Sequence, residues 1–163
     1  MALRNILNES DPILRKKCRP VEKFDDRLHQ LLDDMIETMN SVNGVGLAAP
    51  QVGVLRRVCI VDVGEGPIEL INPVVTHTVG AVVDNEGCLS SPGEYALVER
   101  PEEVTVEALD RHGNAFEIEG GGLMARALCH ETDHLDGKLF KDIMIRLLTA
   151  AELEGDEEIE VEI

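Results

Sequence analysis

The sequence has no tryptophan, one tyrosine and three phenylalanines, so aromatic residues make up only 2% of the chain. Aliphatic side chains must therefore fill the core, and an apolar share of 44% in 163 residues is enough for one globular domain. The sequence contains no apolar run long enough to span a membrane and no signal-peptide pattern. These absences predict no membrane association and a cytoplasmic location.

Basic residues are also scarce, since 15 Lys and Arg stand against 32 Asp and Glu, giving a net charge of −17. This excess of acid argues against direct binding of nucleic acid. We expect residues 1–150 to form a single domain and residues 151–163 to form an acidic tail. Acidic and aliphatic residues alternate from Glu158 to Ile163, which slightly favours an edge strand over disorder.

Neither a disulfide framework nor a C-x-x-C pair is expected. The four cysteines, Cys18, Cys59, Cys88 and Cys129, are scattered along the chain. In a sequence without an export signal this distribution is typical of free thiols.

The most informative motif is H-E-x-x-H at residues 130–134. On a helix His130 and His134 lie on one face, where both imidazoles can bind a single cation. Glu131 then lies beside the metal, where it can take a proton from a bound water. Gly137 follows at the position where a helix commonly ends in a left-handed residue.

A catalytic zinc-type site needs a third protein ligand and an open fourth position. Cys88, in the segment Glu86-Gly87-Cys88-Leu89-Ser90, is the candidate for that ligand. A lone cysteine is more often an inert core residue, but the neighbouring glycine and the H-E-x-x-H helix favour the ligand interpretation.

The remaining pattern predicts an α+β fold. An amphipathic helix begins after Asp25 or Asp26, and short apolar segments follow without intervening helices, which indicates antiparallel sheets. Strands are expected at residues 57–63, 68–72, 74–83 with an interruption at Gly80, 95–98, 104–109 and 115–118, with residues 120–122 breaking the sheet. We therefore expect antiparallel sheets packed around a central metal-binding helix, with an N-terminal amphipathic helix.

Three segments in this order resemble the signature motifs of the peptide deformylases: residues 44–51 (GVGLAAPQ), 86–90 (EGCLS) and 130–135 (HETDHL). The likeness covers residues 3–148. It implies a hydrolase that removes the N-formyl group from the initiator methionine of nascent polypeptides and releases formate. A metal-bound hydroxide would attack, with Glu131 as general base.

The resemblance also implies cofactor and partners. One divalent ion, Fe(II) in the cell, with Zn, Ni or Co as substitutes, would bind Cys88, His130 and His134. The expected partners are N-formyl-methionyl peptides and nascent chains, and a monomer is favoured. The Gln51 side chain and the Leu89 N–H correspond to the family's oxyanion donors.

Substrate contacts are expected at residues chosen by motif position and helical phase. A close backbone wall at the first glycine-rich motif would exclude an acetyl methyl group, and an apolar pocket would receive the methionine side chain. These contacts are assigned to Gly44, Val45, Gly46, Glu86, Gly87, Leu123 and Ala127.

Two alternatives remain open from the sequence. A thermolysin-like zinc endopeptidase would use a downstream carboxylate, Glu152 or Glu154, as third ligand. A non-catalytic metal- or peptide-binding protein would have no use for Glu131. The sequence also departs from the family at Cys129, where glutamine is usual, and in its acidic tail.

Overall fold

The computed structural model describes residues 2–155. Two 3₁₀ turns, Pro12–Arg15 and Ala49–Val52, accompany the regular elements. The strands are β1 (Gly46–Ala48), β2 (Val58–Val61), β3 (Ile68–Val79), β4 (Val82–Gly87), β5 (Tyr95–Arg100), β6 (Glu103–Leu109), β7 (Ala115–Gly121) and β8 (Arg146–Leu147). The helices are α1 (Asp26–Ser41), α2 (Leu123–Leu135), α3 (Phe140–Ile143) and α4 (Ala150–Gly155).

The strands form two antiparallel sheets. The larger sheet has the order β1-β2-β3-β6-β7 and the smaller one the order β4-β5-β8. Helix α2 contacts strands of both sheets, which places it centrally between them. The α+β prediction, with antiparallel sheets around the helix that carries H-E-x-x-H, is therefore confirmed.

Helix α1 is the predicted amphipathic helix, and Asp25 caps it by accepting a hydrogen bond from the Leu28 N–H. Its apolar face includes the fully buried Leu32, Met35 and Met39. These side chains pack with residues of β1 and β2, so aliphatic residues and methionine fill this part of the core.

Helix α2 is almost wholly buried between Ala125 and Glu131. It begins after Gly122, whose φ is +58°, and Gly137 follows its end with a φ of +74°. A Cβ on Gly137 would lie 2.7 Å from the carbonyl carbon of Arg15 and even closer to the carbonyl oxygen of the same residue. Glycine is therefore required here by the left-handed backbone angle, as the sequence predicts, and also by the packing against Arg15.

The structure differs from the predicted strands at Pro73 and at the glycine triplet. Strand β3 continues through Pro73, because a register shift between Ile71 and Val74 and a positive φ of 52° at Asn72 make a bulge. A bulge leaves a residue outside the hydrogen-bond ladder, so it tolerates proline. Strand β7 includes Gly121, and the break predicted for residues 120–122 falls at Gly122 alone.

The C-terminal part of the chain is described as far as Gly155. Helix α4 spans the predicted boundary between residues 150 and 151, and Glu152 forms an ion pair with Arg146 at 2.7 Å. The predicted edge strand from Glu158 to Ile163 lies outside the described residues. Within residues 2–155, no helix has both the length and the apolar character needed to cross a membrane.

Candidate active site

The two histidines of α2 and Cys88 converge in the interior. His130 Nε2 lies 3.2 Å from His134 Nε2, and Cys88 Sγ lies 3.4 Å from His134 Nε2. All three side chains are buried, and their donor atoms lie within 4.8 Å of one another. Residues 42 positions apart in sequence thus form one cluster, because α2 packs against the end of β4.

The turn after β4 presents Cys88 to the helix. Strand β4 ends at Gly87, and the Ser91 N–H donates to the Cys88 carbonyl at 2.9 Å. A Cβ on Gly87 would lie 2.7 Å from the Tyr95 ring, so glycine is needed where β4 pairs with β5. The flanking glycine therefore serves the close packing that places Cys88.

Glu86, for which the sequence predicts a substrate contact, supports one of the two histidines. Its carboxylate is buried and accepts hydrogen bonds from His130 Nδ1 at 2.6 Å, from Arg100 at 2.7 and 3.0 Å and from Arg126 at 3.1 Å. Burial alone would raise the pKa of Glu86, but the bonds from His130 and Arg100 hold it well below its usual value. The ionised Glu86 accepts a hydrogen bond from the Nδ1–H of His130, which leaves Nε2 as the ring nitrogen that faces His134 and the Cys88 side.

The arginines in this network are functional residues that the sequence analysis missed. Arg126 is buried on α2 and also donates to the carbonyls of Val98 and Val82, and Arg100 bridges Glu86 and Asp133. The one sequence signal is that Arg126 stands one turn before His130 on the same helix. Nothing in the spacing indicates that both arginines converge on Glu86.

Glu131 is fully buried, and neither of its carboxylate oxygens has a hydrogen-bond partner among residues 2–155. Burial raises the pKa of Glu131 to about 7. A Cβ on Gly46 would lie 2.8 Å from the Glu131 Cδ, so β1 passes directly over the carboxylate. A carboxylate with this pKa and without a protein partner can both take and give a proton near neutrality.

Gln51 also lies at the cluster. Its Nε2 is 3.6 Å from Cys88 Sγ and donates to Ser90 Oγ at 3.0 Å, while its Oε1 accepts from the Ala48 N–H. Leu89 directly follows Cys88 in the turn after β4, so its backbone N–H lies next to the residue that carries the sulfur. The side chain of Gln51 and the backbone at Leu89 therefore flank the same sulfur.

The predicted substrate residues fall into different environments. A Cβ on Gly44 would lie 2.8 Å from Leu89 Cδ1, which places the glycine-rich segment against the Cys88 turn. Val45 and Ala127 are buried and belong to one apolar cluster. Leu123, one turn before Ala127 at the start of α2, is 42% exposed.

Cys129 is buried in the same apolar cluster, 8% exposed. Burial raises the pKa of its thiol to about 11, so it is protonated at neutral pH. It is not one of the three grouped donors. The substitution at this position therefore leaves the Cys88, His130 and His134 cluster intact.

The donor set fits a divalent ion. One sulfur and two imidazole nitrogens provide three protein ligands, the number found in catalytic zinc-type sites. Burial lowers the pKa of His134, which favours the neutral form of its imidazole that binds metals. With an unpartnered glutamate beside them, these groups define a metal-dependent hydrolase site.

Comparisons with known proteins agree with this class. The polypeptide deformylase family profile matches residues 3–149. A peptide deformylase from Caldicellulosiruptor bescii is 58% identical over 94% of this chain and 93% of its own. Crystal structures of the enzymes from Thermotoga maritima and Legionella pneumophila superpose with TM-scores of 0.86 and 0.85. The first is 42% identical, covering 88% of this chain and 98% of its own; the second is 46% identical, covering 94% and 90%.

The chain belongs to the peptide deformylase family. It is a metal-dependent hydrolase that removes the N-formyl group from nascent polypeptides. The endopeptidase alternative loses its support, because Glu152 pairs with Arg146 and, among residues 2–155, neither Glu152 nor Glu154 joins the two histidines in a group of possible metal ligands.

Proposed function

We propose that Cys88, His130 and His134 hold one divalent ion, Fe(II) in the cell, with Zn, Ni or Co able to replace it. The convergence of one sulfur and two imidazole nitrogens supports this assignment. When bound, such an ion polarises the formyl oxygen and lowers the pKa of a water ligand toward neutrality. Glu86 orients the His130 ring for metal binding by accepting a hydrogen bond from its Nδ1–H.

Glu131 is the general base and then the general acid. Its Oε atoms take the proton of the attacking water, and the same carboxyl group gives a proton to the departing amine nitrogen. A pKa of about 7 suits both steps, since the group is neither fully ionised nor fully protonated at neutral pH. Gly46 keeps this carboxylate uncovered by any side chain from β1.

The Gln51 amide and the Leu89 N–H stabilise the negative charge that develops on the formyl oxygen. Both lie beside Cys88, so both can donate to a formyl oxygen held near the three metal-binding atoms. To donate in this way Gln51 uses the N–H that faces Cys88 Sγ, while Ser90 Oγ holds the other one. Such donors are typically worth about a hundredfold in rate.

The substrates are N-formyl-methionyl peptides and nascent chains, taken up by a cytoplasmic monomer. The methionine side chain enters the apolar region of Val45 and Ala127, with Leu123 at its exposed rim. Gly44 and Gly46 form a close backbone wall that leaves room for a formyl hydrogen but not for a methyl group. Residues 1–150 form the catalytic domain, and residues 151–163 are an acidic addition to it.

The observation that carries this proposal is the buried, unpartnered Glu131 beside three converging metal donors. The test is formate release from formyl-Met-Ala-Ser by anaerobically prepared protein, compared with Glu131→Gln. We expect the variant to retain the metal and to lose at least about a hundredfold in kcat. Equal kcat in both proteins would remove Glu131 from the reaction, and loss of metal from the variant would make it a ligand.

A further inference from the structure

A short N-terminal segment, residues 4–9, joins the two loops that flank Cys88. The Leu7 N–H donates to the Gln51 carbonyl at 2.7 Å, and the Glu9 N–H donates to the Ser90 carbonyl at 2.9 Å. Gln51 and Ser90 are themselves linked by the bond from Gln51 Nε2 to Ser90 Oγ. Residues 4–9 therefore close a ring of hydrogen bonds with these two loops.

The segment is anchored at its start on α1. The Arg4 N–H donates to Thr38 Oγ1 at 2.9 Å, and the Arg4 guanidinium pairs with Asp34 at 2.9 Å. Both acceptors are buried, so these bonds face little competition from water. The first part of the segment is thus fixed to a helix that does not itself contribute to the site.

Glu9 fixes the other end. Its carboxylate accepts from Ser91 Oγ at 2.8 Å and from Lys141 Nζ of α3 at 2.6 Å. Lys141 also donates to Glu94 at 2.9 Å, at the far side of the same loop. Burial would raise the pKa of Glu9, but the bonds from Lys141 and Ser91 lower it, so the group is ionised at neutral pH.

We propose that Glu9 is a positioning residue that fixes the turn of residues 88–91 relative to Gln51. Ser91 is tied to the carbonyl of Cys88, so movement of Ser90 and Ser91 displaces the Cys88 sulfur and the Leu89 N–H. A displacement of about 1 Å can cost a large factor in rate when donors must meet a developing charge. This inference rests on the proposed roles of Cys88, Gln51 and Leu89.

The test compares wild type with Glu9→Ala, both loaded with Co(II). Beside KM for formyl-Met-Ala-Ser, three quantities are measured: kcat for the same peptide, the thiolate-to-cobalt absorption band, and the rate of metal release to a chelator. In Glu9→Ala we expect a change of about tenfold, either as a lower kcat or as a faster release of metal. The absorption band should change as well, whereas KM should stay within about twofold of wild type.

Arg15→Gln is the matched control. Arg15 pairs with Asp142 of α3, the neighbour of Lys141, and acts on Glu9 only through its charge, without a hydrogen bond to Glu9 or to the turn of residues 88–91. This variant removes an ion pair to the same helix, so it should reproduce any general loss of stability. We expect wild-type kcat, absorption band and metal release from it.

Wild-type values in Glu9→Ala for all three quantities would show that Glu9 only stabilises the fold, and the inference would be wrong. If Glu9→Ala does not fold, Ser91→Ala removes one bond to the same carboxylate and must show the same changes at smaller size. A wild-type protein that binds no Co(II) or releases no formate would instead overturn the proposed function.

Discussion

At the residue scale, the site contains buried polar groups that have no hydrogen-bond partner among residues 2–155. Glu131 is buried without a hydrogen-bond partner, although a buried carboxylate is normally paired. Gly46 lies against it without a side chain, and His134 Nδ1 has no partner within residues 2–155. Such unsatisfied groups destabilise a fold, and their presence together agrees with the role in the reaction that we propose for Glu131.

Gly46→Ala tests the close approach of β1 to Glu131. The new Cβ would lie 2.8 Å from the Glu131 Cδ and closer to one oxygen, so the carboxylate must move. We expect kcat for formyl-Met-Ala-Ser to fall by about tenfold or more, with the metal content unchanged. Gly155→Ala, where nothing lies within 4 Å of the new Cβ, is the control. Unchanged kcat in Gly46→Ala would mean that Glu131 does not act from its present position.

The sequence predicted the residues that carry chemistry better than those that support them. His130, His134 and Glu131 follow from a four-residue spacing on one helix, and Cys88 from the need for a third ligand. The role of Glu86 could not be predicted, because its partners Arg100, Arg126 and His130 lie 14 to 44 residues away in the chain. Only the paired strands β4 and β5 and the helix packed on them bring these groups together.

At the element scale, α1, α2 and their ends were predictable from local patterns. The Asp25 cap and the left-handed Gly137 each need only a few neighbouring residues to be recognised. The continuous strand β3 was not predictable, because a bulge at Asn72 accommodates Pro73. Its stabilising contacts are long-range: Asn72 exchanges hydrogen bonds with the backbone of Val21.

Gly137→Ala tests how the end of the metal-binding helix is held. The substituted residue would need a φ of +74° and would bring its Cβ within 2.7 Å of the Arg15 carbonyl carbon. We expect a loss of about 2 kcal/mol or more in the free energy of unfolding, measured with urea. Gly53→Ala shares the positive φ of 83° but meets nothing within 4 Å, so it isolates the backbone term. Equal losses in both variants would contradict a packing role for Gly137.

At the scale of the whole molecule, fold class followed from the order of elements, but the sheet order did not. Strand β3 pairs with β6, although β4 and β5 lie between them in the chain, and no local sequence signal specifies that pairing. The hydrogen bonds that residues 4–9 make to the loops around Gln51 and Ser90 could not be predicted either, because the sequence there suggests only an extended segment. The apolar core of aliphatic residues and methionine was expected from the scarcity of aromatic residues.

The raised pKa of Glu131 predicts a pH dependence of stability for the metal-free protein. Its value of about 7 lies above the ordinary 4.5, so the folded state binds this proton more tightly than the unfolded state. Stability from this group is therefore full below pH 4.5 and falls as the pH rises to about 7. Glu131→Gln lacks this loss. The free energy of unfolding of the variant minus that of wild type should therefore increase across that range by about 3 kcal/mol.

The measurement is urea unfolding of both metal-free proteins at pH 5 and pH 8. If the free energy of unfolding of Glu131→Gln minus that of wild type is smaller at pH 8 than at pH 5, the pKa of Glu131 is not raised in the folded protein. Glu117→Gln, a substitution on strand β7, is the control for loss of one carboxylate from a chain with a net charge of −17.

X-ray absorption spectroscopy of the zinc-loaded protein identifies and counts the atoms bound to the metal, so it shows whether Cys88, His130 and His134 hold one ion. We expect one sulfur at about 2.3 Å and two nitrogens at about 2.0 Å, with further scattering only from light atoms. Cys88→Ala should lose the sulfur shell together with most of the metal, while Cys129→Ala should keep both. A metal shell without sulfur, or a sulfur shell that persists in Cys88→Ala, would mean that Cys88 is not a metal ligand.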